Sequence, residues 1–527
     1  MTSATQLPPH IAKLLDPSAY PHPTTTTIEL IETHISWVLL TGPYAYKIKK
    51  PVDFGFLDFS TLEKRHLYCE EELRLNRRFS TMLYLEVATV NGPPECPSIG
   101  GLGPIIDYAV KMRQFGQSDL LSYRAEKNLL TSSDIDGIAS SIARFHREAA
   151  IADPQSPFGE ADDIKHWSDE NFEHIEPLLQ NDRDRAQIRR LKDWMQSEYE
   201  QRAETLRERK RLGFVKECHG DLHLGNIASI DDTITPFDCI EFNPKLRWID
   251  TASEIAFLFM DLTHRQREHF AWRMLNGYLQ RSGDYPSLRL LRYYLVYRAL
   301  VRAKVALLSR QPDNDRSQQD RLQNDYNAYA DLAERYTKPP TPRLLITHGP
   351  SGSGKSFFAK QLSETIGAVQ LRSDIERKRL FGFEPNAETA SAMGGGIYDA
   401  DAGRKTYRHL AEWAKMLLLS GFDAIVDAAF LKHEQRALFI DLAETGSIPL
   451  LMLDFQATEA ALSERIEQRR AQRNDPSEAT LDILRQQLKS QDPLSDAERQ
   501  YTVTIDTERP DATAQLVEAV DKLGKRR

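Results

Sequence analysis

The chain has 527 residues, too many for a single hydrophobic core, and ordinary domain sizes point to two units. With 41% hydrophobic and 28% charged residues it has the composition of a folded globular protein, which excludes disordered and fibrous classes. A formal charge of −9 argues against a broad basic surface for duplex nucleic acid or anionic membrane, and favours a small-molecule partner.

The first residues, Met1 to Leu15, lack a basic region followed by an apolar run, and no stretch has the apolar length needed to span a bilayer, so a cytoplasmic protein is expected. Cys69, Cys96, Cys218 and Cys239 show no CxxC spacing, which speaks against zinc and against a disulfide scaffold.

Taken in chain order, Ile28 to Glu32, Ile35 to Leu40 and Tyr44 to Ile48 read as antiparallel strands, the last two joined by a turn at Thr41-Gly42-Pro43. Ala45-Tyr46-Lys47 has the spacing of a strand-borne lysine that reaches nucleotide phosphates. Lys49 shares its strand face, and an exposed basic strand edge is the plainer alternative for both. The segment Leu62 to Phe79 is predicted helical and carries Glu70, Glu71 and Glu72, any one of which could pair with the lysine. Tyr108 to Phe115 reads as a strand leading to a crossing point, followed by a helix with Ile135, Ile138, Ile142 and Phe145 on one side.

In His219-Gly220-Asp221-Leu222-His223-Leu224-Gly225-Asn226, an aspartate and an asparagine are separated by four residues. That spacing allows Asp221 to orient or accept an acceptor hydroxyl proton while the Asn226 amide oxygen binds Mg²⁺. Asp238, at a strand end in Thr235-Pro236-Phe237-Asp238, supplies a second metal-binding carboxylate. His219 and His223 are expected to brace the turn through backbone hydrogen bonds. The loop and the following Phe237-Asp238-Cys239-Ile240-Glu241 resemble the signature of the aminoglycoside phosphotransferase and choline kinase superfamily. Across about residues 28 to 335, the resemblance implies a bilobal kinase-like α+β fold, ATP between the lobes, and phosphoryl transfer to a small-molecule hydroxyl. No Gly-rich loop precedes Lys47, so phosphate cover falls to a residue such as Ser36 or to the turn after His34. Helices over Trp167 to Leu179, Ala186 to Leu206 and Thr251 to Leu308 would build the acceptor pocket. There Arg298, Arg302 and Lys304 could hold an anionic group, although a solvated helix face is the simpler reading.

Lys338-Pro339-Pro340-Thr341-Pro342 reads as a linker, dividing a first domain of residues 1–336 from a second of residues 343–527, with 337–342 between them. Beyond it, Gly349-Pro350-Ser351-Gly352-Ser353-Gly354-Lys355-Ser356 fits the phosphate-loop pattern. Its backbone N–H groups would cradle phosphate, Lys355 would neutralise charge, and Ser356 would face Mg²⁺. Leu344 to Thr347 leads in as a buried strand, and Phe357, Phe358, Leu362 and Ile366 recur at helical spacing up to Gly367. Val369 to Arg372, Ala424 to Asp427, Leu450 to Phe455 and Tyr501 to Ile505 complete five strands alternating with helices. That pattern predicts a parallel α/β sheet.

Asp374 and Asp427 fall at strand carboxyl ends, where such sheets collect their chemistry: Asp427 for the Mg²⁺ shell, Asp374 as general base. This arrangement resembles the small P-loop kinases near polynucleotide 5′-hydroxyl kinases, zeta-toxin-like kinases and chloramphenicol phosphotransferase. The resemblance implies an acceptor-clamping role for Arg377 and a lid in which Arg469 or Arg473, before Asn474-Asp475-Pro476-Ser477, stabilises the transferring phosphoryl group. An amphipathic helix with an outward basic face is the plainer reading of those arginines. The expected cofactors are ATP, or GTP in its place, and Mg²⁺. The expected partner is a small-molecule hydroxyl acceptor. A nucleic-acid 5′ end and a non-catalytic, nucleotide-sensing first domain are the rival readings.

Overall fold

Strand Tyr44–Lys49 (β3) is the element around which the first part of the chain is built. Tyr46 and Ile48 point into a core with Trp37, Leu39 and Val90, while Lys47 and Lys49 alternate to the opposite face. In the computed structural model, residues 7–55, 57–310, 315–385, 387, 396–472 and 480–524 are described. β3 pairs with Ser36–Leu40 (β2) on one side and Ile105–Arg113 (β6) on the other. With Glu29–Glu32 (β1), Tyr84–Asn91 (β4) and Ser98–Ile99 (β5), they form an antiparallel sheet of order β1-β2-β3-β6-β4-β5. β4 and β5 were not read from the sequence. β4 mixes small, charged and β-branched residues, and it becomes a strand through its long pairing with β6.

The helix Leu62–Asn76 starts where Thr61 accepts a hydrogen bond from the Lys64 N–H, and it buries Cys69, Glu72, Leu73 and Asn76. Helices Ser132–Glu148, Ala161–Ile175 and Asp182–Arg211 follow. Two short ribbons flank the His219–Asn226 loop: Val215–Glu217 (β7) with Trp248–Asp250 (β10), and Ile227–Ile230 (β8) with Thr233–Pro236 (β9). The ribbons hold both ends of that loop in hydrogen-bonded backbone, which fixes where its polar side chains project.

The second sheet contains Leu344–His348 (β11), Ala368–Arg372 (β12), Asp423–Asp427 (β13), Leu450–Gln456 (β14) and Thr502–Asp506 (β15). All neighbours are parallel and the order is β12-β13-β11-β14-β15. This is the five-stranded α/β sheet the alternation predicts, with the order reversing beside β11, where doubly wound sheets bind ligands. Helix Lys355–Ile366 packs Phe358, Ala359 and Leu362 onto it, whereas Phe357 stays 62% exposed, off the apolar face assigned to it from spacing.

The chain divides into two compact units: Met1–Asp261 with Tyr293–Ala333, and Leu262–Arg292 with Glu334–Arg527. The segment Leu262–Arg292 therefore packs with the phosphate-loop unit and not with the 1–336 domain to which the proline boundary assigned it. The reason is local. Arg273 Nη1 donates to Glu364 Oε1 at 2.8 Å, and the Trp272 ring lies so close to Gly367 that a Cβ there would meet its Nε1 at 2.7 Å.

Candidate active sites

In the first unit both lysines of β3 are buried, so neither forms an exposed basic edge. Glu72 is the partner among the three glutamates. Its Oε1 accepts from Lys47 Nζ at 2.8 Å and its Oε2 from Lys49 Nζ at 2.7 Å. Glu70 stays exposed, and Glu71 bonds Arg74 and Arg247. Lys47 also donates to Asp238 and Lys49 to Glu241, so the ambiguity between the lysines resolves into two roles. Lys47 faces the cavity side with Asp238, and Lys49 is locked beneath it. Burial opposes charge on Lys47, but Asp238, Glu72 and Glu241 outweigh it and hold the ammonium above its ordinary range. Burial pushes Glu241 up, since it has one ammonium partner, while Glu72 with two stays low.

This network makes a stability prediction. Lys49→Ala leaves Glu241 buried without its counterion and should cost about 3–5 kcal/mol. With the lysine gone, Glu241 should have a folded-state pKa further above its unfolded value. The loss should therefore be smaller near pH 5 and grow as pH rises. Chemical denaturation at pH 5 and pH 8 checks this, and a cost below about 1 kcal/mol at pH 8 would contradict the buried pairing.

Asp221 sits on a rigidly supported loop. Glu254 Oε1 accepts from the N–H groups of His219 (2.6 Å) and Gly220 (2.9 Å), and His146 Nε2 holds its other oxygen at 2.6 Å. His219 bonds the Phe237 carbonyl at 2.8 Å and accepts from Asp221 N–H at 3.3 Å, the bracing role expected of it. Asp261 accepts from Leu224 N–H at 2.9 Å. Asn226 Nδ2 donates to Asp221 O (3.0 Å) and Oδ2 (3.1 Å), leaving its amide oxygen as a donor for metal. His223 Nε2 lies 3.5 Å from Asp221 Oδ2. Desolvation would raise the Asp221 pKa, but His223, Arg302 and His219 outweigh it and hold the carboxylate below the usual range. Asn226 and Asp238 offer oxygen donors only, a set that suits a hard cation such as Mg²⁺.

Lys47, Asp221 and Asp238 line one cavity of about 540 Å³, with Ile35, Trp167, Asn171 and Tyr297 also in its wall. Ser36, offered for phosphate cover, is fully buried with its hydroxyl unpartnered among the described residues. Arg298 is no solvated helix face: it is buried, and donates to Gly220 O at 3.3 Å and Ser253 Oγ at 3.2 Å, behind the loop.

In the second unit, the loop from Gly349 to Gly354 joins β11 to helix Lys355–Ile366. Gly352 has φ 85°, and a Cβ there would lie 2.6 Å from Leu462 O, so only glycine fits. Lys355 Nζ folds back to donate to Pro350 O at 2.7 Å. A cavity of about 340 Å³ is lined by Ser351, Gly352, Gly354, Lys355 and Ser356 of the loop, together with Asp374, Arg377, Asp427 and Arg469. Gly349, Pro350 and Ser353 form the loop behind that lining. Asp374 occupies the first turn of helix Ser373–Leu380. Arg377 lies 4.9 Å from the Tyr398 ring centre and donates to Thr406 Oγ1 at 3.4 Å. Arg469 has its Nε and Nη2 buried with no hydrogen-bond partner among the described residues, which leaves donors for an anion and departs from an outward basic face. Arg473 and Asn474 to Ser477 lie outside the described residues. Burial pushes Asp427 up against the pull of Arg372, Ser356 and Lys355; its carboxylate beside the Ser356 hydroxyl is again an oxygen set fitted to Mg²⁺.

Sequence reasoning gave no role to five contributors. Arg465 donates to Thr507 Oγ1 at 2.9 Å, tying its helix to the chain after β15. Gln487 Oε1 accepts from Ser351 N–H at 2.8 Å. Arg372 and Gln370 on β12 approach Asp427 Oδ2 at 3.7 and 3.0 Å. Glu254 underpins the first-unit loop. Only Arg465, four residues before Arg469 in a stretch that also holds Arg470 and Arg473, carried a local signal.

The two geometries define a chain that joins a kinase-like α+β fold to a P-loop α/β fold. Comparison with known proteins bears on each part. Residues 344–494 match the family model described as an AAA domain. Over 470 residues the chain is 29% identical to the uncharacterized protein Rv2004c of Mycobacterium tuberculosis H37Rv, covering 88% of this chain and 90% of that one. Among solved structures, the chain is similar to a gluconokinase from Sinorhizobium meliloti 1021 (22% identity, 35% of this chain and 93% of that one, TM-score 0.25). It is also similar to the amicoumacin kinase hAmiN in complex with AMP-PNP, Ca²⁺ and Ami (12% identity, 61% and 92%, TM-score 0.39). No described helix is long and apolar enough to cross a membrane.

Proposed function

We propose that the chain is an ATP- and Mg²⁺-dependent phosphotransferase with two nucleotide sites, each moving the γ-phosphoryl group to a hydroxyl of a small-molecule acceptor. The observation that carries this is the convergence, in each unit, of a lysine and carboxylates on one cavity: Lys47, Asp221 and Asp238 in the first, Lys355, Asp374 and Asp427 in the second. Asp221 would take the acceptor hydroxyl proton while Lys47 holds phosphate oxygens. In the second unit Asp374 would take that proton, with Lys355 and Arg469 placed to face charge on the transferring group. Mg²⁺, held by Asn226 and Asp238 or by Ser356 and Asp427, would neutralise charge on the bridging phosphates.

The acceptor side of the first cavity supports a neutral, hydroxylated molecule over a polycation. Asp163 is paired with Lys245 at 3.1 Å, Glu170 with Lys304 at 3.3 Å, and Asp250 with Arg209 at 2.7 Å, so its charges compensate one another. Trp167, Phe257 and Tyr297 supply aromatic wall, and both amide atoms of Asn171 lack partners among the described residues. Asn171→Ala should raise the acceptor KM about tenfold at little change in kcat, as loss of a binding hydrogen bond does.

The test is phosphoryl transfer from labelled ATP to neutral sugars, nucleosides, aminoglycosides and 5′-hydroxyl oligonucleotides, with ATP titrated calorimetrically. Two ATP bound per chain and transfer to neutral hydroxyls support the reading. One ATP per chain, with transfer that depends only on Lys355, would make the first unit a non-catalytic module.

A further inference from the structure

β12 is an edge strand of the second sheet, and an edge leaves backbone donors and acceptors facing outward. At Val369 that outward rung is closed by a side chain. Asn276 Nδ2 donates to Ala368 O at 2.9 Å, and its Oδ1 accepts from Gln370 N–H at 2.8 Å. In a parallel ladder, one residue of a neighbouring strand bonds the C=O before, and the N–H after, the residue it faces. The carboxamide of Asn276 makes both of those bonds, so it stands in for a sixth strand at one position. Asn276 belongs to helix Glu268–Ser282, in the segment Leu262–Arg292 that packs within this unit.

The residue so fixed is the one that touches the site. Gln370 Nε2 donates to Asp427 Oδ2 at 3.0 Å, and Gln280, one turn beyond Asn276 on the same helix, approaches Gln370 Oε1 at 3.4 Å. Asn276, Gln370 and Asp427 are all buried. The helix thus sets the backbone of Gln370 through one residue and faces its side chain with another. The strand passes that placement to the carboxylate beside Ser356.

We infer that Asn276 and Gln370 are positioning residues of the second nucleotide site, holding the Asp427 carboxylate in the single orientation that its Mg²⁺ role requires. The inference rests on the proposed nucleotide reading of this site. It assigns part of that site to a segment well outside residues 344–494, which match the AAA domain. Neither residue lines the cavity of this site, so their loss should act on Mg²⁺ and leave metal-free ATP binding in place.

Hydrogen exchange on the full chain tests this, because peptides over residues 349–356 and 368–372 report this unit alone. In wild type, ATP with EDTA should protect 349–356, and added Mg²⁺ should deepen that protection with a defined midpoint. Gln370→Leu should keep the metal-free protection and raise the Mg²⁺ midpoint about fivefold or more. Asn276→Ala should do the same and also speed exchange across 368–372 at least tenfold without ligand. Asn276→Asp, which keeps the acceptor for Gln370 N–H but loses the donor, should fall between; it serves if Asn276→Ala fails to fold. Wild-type Mg²⁺ midpoints in Gln370→Leu and an Asn276 variant would overturn the inference while leaving the nucleotide reading standing. No ATP-dependent protection of 349–356 in wild type would overturn both.

Discussion

Asp221→Asn should lower acceptor-dependent phosphoryl transfer at the first site by about 10²–10⁴-fold, the usual contribution of a general base, while ATP still binds. The substitution keeps shape and the capacity to accept the Asn226 hydrogen bond, but removes the carboxylate proposed to take the proton. The Glu254 brace bonds the backbone of His219 and Gly220, so the loop should not move. Because His223, Arg302 and His219 hold Asp221 below the ordinary aspartate range, the base stays ionised in mild acid. The acid limb of wild-type kcat/KM should therefore lie below that range. Undiminished turnover of an acceptor that uses this site would remove Asp221 from the chemistry.

Lys355→Met should produce opposite changes in stability and binding. Burial lowers Lys355 to about 8, against the partial support of Asp427 and Asp374. Its folded-state value is thus below its unfolded one. Between about pH 8 and 10.5 the unfolded chain holds a proton the folded chain has released, so stability rises with pH across that window. At pH 7 both states are charged and the full cost of burying the ammonium is present, at most about 3 kcal/mol. Methionine removes that cost, so the ligand-free variant should be more stable than wild type at pH 7, with the difference shrinking towards pH 10. ATP affinity at the second site should fall about 10–100-fold, as expected for a lost hydrogen bond to a charged group. Unfolding at pH 7 and pH 9.5, paired with ATP titration, reads both. A less stable variant with unchanged affinity would mean Lys355 is a structural cation.

Residues that act through local backbone were legible in the sequence, and residues that act through packing were not. The phosphate loop announces itself because its glycines are fixed by φ and by close approach, as at Gly352, and those demands leave a compact pattern. The His219–Asn226 loop is legible for the same reason. The choice among Glu70, Glu71 and Glu72 was not: it depends on which side of helix Leu62–Asn76 meets β4 and β6, a tertiary fact. Burial of Lys47 and Lys49 together runs against the ordinary exposure of lysine, and is tolerated only because three carboxylates converge from distant positions. Asn276 looks like any polar residue on an amphipathic helix. Nothing near it in the chain says that its amide faces an edge strand about 90 residues away.

The membership of Leu262–Arg292 in the second unit has a genealogical consequence. A crossover at Pro339, Pro340 and Pro342, where the chain looks most divisible, would separate the phosphate loop from the helix that closes its sheet edge. One recombination event cannot exchange either half intact. A recombinant cut there would carry the phosphate loop without the Asn276 amide that closes the edge of β12.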